Sequence, residues 1–154
     1  MESIRFAPVR FSLHFVLACL LVIAAAATAR SAERQAEPPA NSFTVAGYAF
    51  DRGNAKTFTS NWADGEPMVA FGGQLPVVID YDIPFPVDGT YTLHIFYAAA
   101  GTRPVKLYVD GKAAADVCRT ATGSWMTSEA QWEESARLTL KQGKHTIRLL
   151  RDAA

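Results

Sequence analysis

Two tryptophans, Trp125 and Trp132, stand seven residues apart in "TGSWMTSEAQWEES" (residues 122–135), a stretch with almost no aliphatic side chains. A buried strand needs more aliphatic residues than that, and a free loop seldom carries two indoles. An indole held out on a polar turn presents a flat apolar face. The C–H face of a ring-shaped ligand can stack on it, removing apolar area from water at about 25 cal/mol per Å². Trp125, with Gly123 and Ser124 before it and Thr127 and Ser128 after it, has that setting. Its other reading is a loop tryptophan packed over the edge of a sheet. Trp132 leads into the alternating run around Arg137–Leu140 and is expected in the core or at its rim.

Catalytic chemistry finds little footing. There is no G-x-S-x-G elbow and no His/Cys cluster with metal-ligand spacing, and His94 and His145 lie within alternating runs. Asp80 and Asp82 share one strand face, as a carboxylate pair for acid–base work would. Two such carboxylates more commonly serve only to keep a solvent face polar. Asp51, Asn54 and Asp64 carry oxygen atoms that suit a hard cation. The chain is read as a non-enzyme.

The elements that would position these residues begin after a leader. "MESIRFAPVR" carries Arg5 and Arg10, "FSLHFVLACLLVIAAAATA" is an apolar run, and Ala27 and Ala29 give an A-x-A pattern. This layout predicts a signal peptide over residues 1–29, cleaved after Ala29, and a secreted or periplasmic protein. Uncleaved, the same run would be a membrane anchor. Residues 30–42, with Pro38-Pro39, read as a disordered tether. The first 29 residues hold two of the 15 basic and one of the 15 acidic residues, so the remainder carries about −1. That balance argues against a nucleic-acid or anionic-membrane partner. Cys19 falls in the apolar run, leaving Cys118 as a lone, small buried hydrophobe with no disulfide to form.

From residue 43 to 154 the periodicity is two. Val77, Ile79, Tyr81 and Ile83 alternate with Val78, Asp80 and Asp82; Tyr91, Leu93, Ile95 and Tyr97 alternate with Thr90, Thr92, His94 and Phe96. Val105, Leu107 and Val109 share a face, as do Leu138 with Leu140 and Ile147 with Leu149. Asp88-Gly89, Asp110-Gly111 and Gln142-Gly143 separate these runs and are expected to close hairpins. One buried face per strand predicts an all-β fold, an antiparallel β-sandwich or jelly roll. Because the sequence ends at "TIRLLRDAA", directly after a strong strand, a partner strand is expected to be missing.

Taken together, "FDRGN", "GTYTLHIFYAAAGTRPVKLYVDGK", "TGSWMTSEAQW" and "LKQGKHTIRLLR" resemble the family 6 and family 35 carbohydrate-binding modules. These are galactose-binding-like β-sandwiches, often appended to secreted bacterial enzymes. The resemblance covers roughly residues 43–151. It implies non-catalytic binding of a poly- or oligosaccharide by loop aromatics at one edge of the sandwich. "TGSW" is similar to the family's "TGGW"-like turn, which makes Trp125 the stacking platform. Trp62 in "SNWADG" is then a candidate second wall, with Asn61, Arg103 and Glu129 as polar neighbours that select hydroxyl orientation. Arg103 in "GTRPV" offers a planar fork for a sugar carboxylate, or is simply a solvated loop arginine. The resemblance also implies a structural calcium, for which Asp51 and Asn54 are the candidates here. The family's glutamate pair near the first strand is absent from "VAGYAF", and its final strand is not found. The alternative to sugar binding is a structural or protein-interaction sandwich with an open sheet edge.

Overall fold

The computed structural model describes residues 5–13, 41–59 and 67–152, with backbone only for 5–13 and Phe58. Eleven strands follow in chain order among them: β1 (Arg5–Leu13), β2 (Ser42–Val45), β3 (Arg52–Gly53), β4 (Lys56–Phe58), β5 (Met68–Ala70) and β6 (Val77–Phe85). Then come β7 (Gly89–Ala98), β8 (Val105–Val109), β9 (Lys112–Val117), β10 (Gln131–Leu140) and β11 (Gly143–Arg151), with a 3-10 turn at Thr127–Glu129. The fold is all-β and antiparallel, as the alternation predicts. One sheet runs β10-β7-β1-β5-β4, with β2 also paired to β1; the other runs β3-β6-β11-β8-β9.

The alternating apolar positions meet between the two sheets. Ile79, Tyr81 and Phe85 of β6, Leu93, Ile95 and Tyr97 of β7, Leu107 of β8 and Leu149 of β11 are all buried in a single cluster. Leu138 and Leu140 join it from β10. At one end Phe85, Tyr91 and Phe43 pack edge-to-face, with centroids 4.7 to 6.5 Å apart.

Two of the three expected hairpins are not hairpins. Asp110-Gly111 does close one, between β8 and β9, with φ of 49° and 78° as a tight two-residue turn requires. Asp88-Gly89 and Gln142-Gly143 instead carry the chain from one sheet to the other, since β6 and β7, and likewise β10 and β11, belong to different sheets. Polar turn residues announce a reversal, not which sheet receives the next strand. Asp88 ties the two crossovers together, accepting from the Gln142 N–H at 2.6 Å and from Lys141 Nζ at 2.9 Å.

A second departure concerns the sheet edges. β11, expected to lack a neighbour, lies between β6 and β8. It is the other sheet that is completed from afar. Arg5–Leu13, a segment read as part of the leader, pairs with β7 over eight positions and with β2 over four. "RFAPVRFSL" has strand periodicity as well as leader composition. Phe6, Val9, Phe11 and Leu13 fall level with Tyr97, Ile95, Leu93 and Tyr91. Pro8, which has no N–H to donate, falls at the break in that register. The rest of the predicted leader lies outside the described residues.

Candidate functional site

The stretch that carries Trp125 leaves β9 at Val117 and returns into β10 at Gln131. It is anchored at both ends. Thr122 and Gly123 both donate their N–H groups to the Ala99 carbonyl, at 2.7 and 3.2 Å, and Thr122 Oγ1 accepts from the Ala99 N–H at 3.0 Å. Beneath the loop, Glu133 accepts from the Cys118 N–H at 2.7 Å through Oε1 and from the Arg119 N–H at 3.2 Å through Oε2. Tyr97, buried by alternation, places its hydroxyl 2.8 Å from Glu133 Oε2 and 2.7 Å from the Thr120 carbonyl. Burial pushes the Tyr97 phenol far above its usual range, with the Glu133 contact adding to it. Near neutral pH the hydroxyl keeps its proton, and it also accepts from the Thr120 N–H at 3.1 Å.

Glu133 and Tyr97 are what sequence reading missed. A register shift between Glu134 and Ala136 in β10 changes the parity of the strand. Glu133 stands level with inward-facing Ile95, and three positions after it Ala136 stands level with inward-facing Leu93. The available signal was a glutamate beside two tryptophans at a strand's start; the bulge hid which face it takes.

On this anchored loop, the half-buried Trp125 packs against the rim of the core. The Arg103 guanidinium sits over its ring, 5.0 Å from the centroid. Of the two readings of Trp125, edge packing is the one its surroundings display, with the Arg103 guanidinium over the ring. Arg103 is no detached loop arginine: it holds a cation–π position over the indole. Met126, next along, is 41% exposed. Glu129 closes the 3-10 turn, its N–H bonded to the Met126 carbonyl at 3.0 Å. Trp125, Arg103 and Glu129 therefore come from the β8 approach and one loop. Trp62, Asn61 and Asp64 lie outside the described residues.

Trp132 takes the rim position. It stacks on Phe96 with centroids 5.0 Å apart and planes 38° from parallel. A cavity of about 120 Å³ opens beside it, lined by Tyr97, Thr120, Thr122, Gln131, Trp132 and Glu133. An aromatic wall, two threonines and an amide around a small open hollow can hold part of a hydroxyl-rich molecule. A separate cavity of about 310 Å³, lined by Phe43, Val45, Asp51, Asp82 and others, shares no residue with it.

The remaining candidates prove structural. Asn54 Oδ1 accepts from the Val78 N–H at 2.8 Å, and its side-chain NH2 donates to the Pro76 carbonyl at 2.9 Å. Asp51 accepts from the Asp82 N–H at 2.7 Å. Both fasten β3 to β6, and among the described residues no group of three or more His, Cys, Asp or Glu side chains is placed to hold a metal ion. Asp51 and Asn54 thus spend these oxygens on backbone N–H groups rather than on a shared centre. Asp80 and Asp82 are each gripped by an arginine fork: Arg148 on Asp80 at 2.7 and 2.9 Å, Arg52 on Asp82 at 2.8 Å twice. These hydrogen bonds hold both carboxyls below the usual range. Neither has a proton to lend near neutral pH. The pair laces the outer face of its sheet.

Comparison with known proteins gives the fold a relative. No family model and no curated protein sequence matches the chain. Among solved structures it is similar to a family 35 carbohydrate-binding module from Clostridium thermocellum, at 25% identity and a TM-score of 0.53. The match covers 66% of this chain and 78% of that one. The β-sandwich, the order of its strand signatures and the "TGSW" loop together make this chain similar to the family 35 carbohydrate-binding modules.

Proposed function

We propose that this chain is an exported, non-catalytic carbohydrate-binding domain that engages poly- or oligosaccharide at the Trp125 loop. The observation that carries the reading is the Arg103–Trp125 pair on a loop fixed by Glu133 and Thr122. Such a loop presents an aromatic surface and hydrogen-bond donors with little freedom left to lose, so less of the stacking gain is spent on ordering the site. Trp132 and its hollow extend the surface toward a second residue of a glycan chain. Retention of the full-length protein in gels containing soluble polysaccharides, followed by a glycan array, tests it. Trp125→Ala should abolish retention and Arg103→Ala should weaken it, with far-UV circular dichroism unchanged in both. Equal retention of Trp125→Ala and the parent protein would refute the platform.

Export rests on residues 1–29 and is tested by the N-terminal mass of protein recovered outside the cytoplasm. A second reading, a domain that pairs with another polypeptide, draws on the sheet that contains β1.

A further inference from the structure

β1 is the keystone of its sheet. Among the described strands it alone joins β7 to β5 and β2, since the order runs β10-β7-β1-β5-β4 with β2 paired only to β1. Its ladder is long: Arg5 to Leu13 stand opposite Ala98 to Tyr91, while Val9 to Ser12 stand opposite Val45 to Ser42, and Arg5 and Phe6 opposite Ala70 and Val69. The residues level with it on β7, Tyr91, Leu93, Ile95 and Tyr97, are all buried in the core. Yet cleavage after Ala29 would remove β1 from the exported molecule. The sheet would then divide into β10-β7 on one side and β5-β4 with β2 on the other. Two backbone edges would face each other across one strand's width, some 4.8 Å from each neighbour, with unpaired N–H and C=O groups along both.

We propose that the gap between β7 and β2–β5 is a strand-acceptor site, occupied in the unprocessed chain by Arg5–Leu13 and, after processing, by an extended segment of a second polypeptide. This rests on the cleavage reading and is independent of the sugar reading. The donor's chemistry follows from the register. It runs antiparallel to β7 for about eight residues, and it is apolar at the alternate positions level with Tyr97, Ile95, Leu93 and Tyr91. It need not donate an N–H where Pro8 sits. Backbone pairing on two sides supplies affinity, and the alternate apolar positions supply selectivity. A second processed copy has lost residues 5–13 too and cannot provide the resident strand, so the proposed donor is a different chain.

The experiment uses the full-length chain with a specific protease site substituted within residues 30–40. After cutting, the released N-terminal fragment should co-elute with the domain on size exclusion. After unfolding in urea, refolding with a ten-fold excess of labelled RFAPVRFSL should return soluble domain carrying the label. The same peptide with aspartate for Val9 and Phe11 should bind at least fifty-fold more weakly. Loss of the fragment with an unchanged circular dichroism spectrum and melting temperature would overturn the proposal. So would refolding that recovers no more soluble domain with peptide than without, or a peptide-free domain that elutes as a stable dimer. Retention of residues 1–29 on exported protein overturns donation in trans whatever the refolding shows, and leaves the sugar reading untouched.

Discussion

Replacing Glu133 with alanine should unfasten the Trp125 loop, and its cost follows from the bonds it removes. The carboxylate accepts from the backbone of Cys118 at 2.7 Å and of Arg119 at 3.2 Å, and stands 2.8 Å from the Tyr97 hydroxyl. Cys118 is fully buried, so its N–H finds no water in exchange; a stranded buried donor costs about 1–3 kcal/mol. Arg119 is exposed and its N–H rehydrates, and the Tyr97 hydroxyl keeps the Thr120 carbonyl. Cys118 also sits at φ 55°, a conformation that a non-glycine residue holds only when its surroundings enforce it. Together these place Glu133→Ala at about 3 kcal/mol, a fall in Tm of roughly 10–15 °C for a domain of this size. Glu133→Gln keeps one acceptor and should lose about half as much. Urea unfolding followed by circular dichroism measures both. A loss under about 0.5 kcal/mol for the alanine variant would show that the loop is held by something other than Glu133.

Four further substitutions test contacts elsewhere in the sandwich. His145 faces Asp110 at 2.6 Å through Nδ1 and the Lys141 carbonyl at 3.0 Å through Nε2, so two acceptors favour the imidazolium; the hydrogen bond to Asp110 raises the His145 pKa and lowers that of Asp110. The histidine's share of stability is complete below about pH 6.5 and fades as pH rises through its folded value. The aspartate's share holds above about pH 3.9 and fades as pH falls. His145→Gln should therefore remove a decline of about 0.5 kcal/mol seen above pH 6.5 in urea titrations of the parent. Arg148→Met should cost about 2 kcal/mol at pH 7, because Asp80 is 6% exposed and retains only Arg52 at 3.7 Å. Since Asp80 is held low chiefly by its hydrogen bonds to Arg148, that penalty should shrink below about pH 4, and a penalty equal at pH 7 and pH 3 would refute the assignment. Gly53→Ala should cost about 2–3 kcal/mol in thermal unfolding, since φ is 154° and a Cβ would collide with the Val78 carbonyl oxygen and lie 2.9 Å from Ile79 Cα. Gly123→Ala, at φ 99° but with open space around it, should cost about 1 kcal/mol.

Much of the fold is legible in the sequence because burial imposes a parity of two on each strand. The inward sets of β6, β7, β8 and β11 were each readable from alternation alone. What alternation does not carry is which sheet receives a strand, hence the misreading of Asp88-Gly89 and Gln142-Gly143. Nor does it survive a bulge: the shift after Glu134 brings Glu133 and Leu138 to the same face although they differ in parity. The site was partly legible for a similar reason. Trp125 on a glycine-serine turn is a local signal, whereas its pairing with Arg103 spans 22 residues and depends on how β8 and the loop converge. Asp51 and Asn54 looked like cation ligands because oxygen-rich side chains serve a cation and a backbone N–H equally well; only their positions against β6 separate the two uses.

The long ladder between Arg5–Leu13 and β7 has a consequence in time. Its partners are separated by 78 to 93 residues along the chain. At translation rates of roughly 5–20 residues per second, β7 emerges about 4 to 19 seconds after β1. Until then the segment can pair only with the short β2 and β5, and contacts of such separation as the β7 ladder are the slow ones to form. Export machinery and the sandwich would thus compete for one nonapeptide in sequence rather than at once, and the outcome would depend on which reaches it first. Slowing synthesis between residues 41 and 91 should favour the processed form, and speeding it should favour the self-completed one.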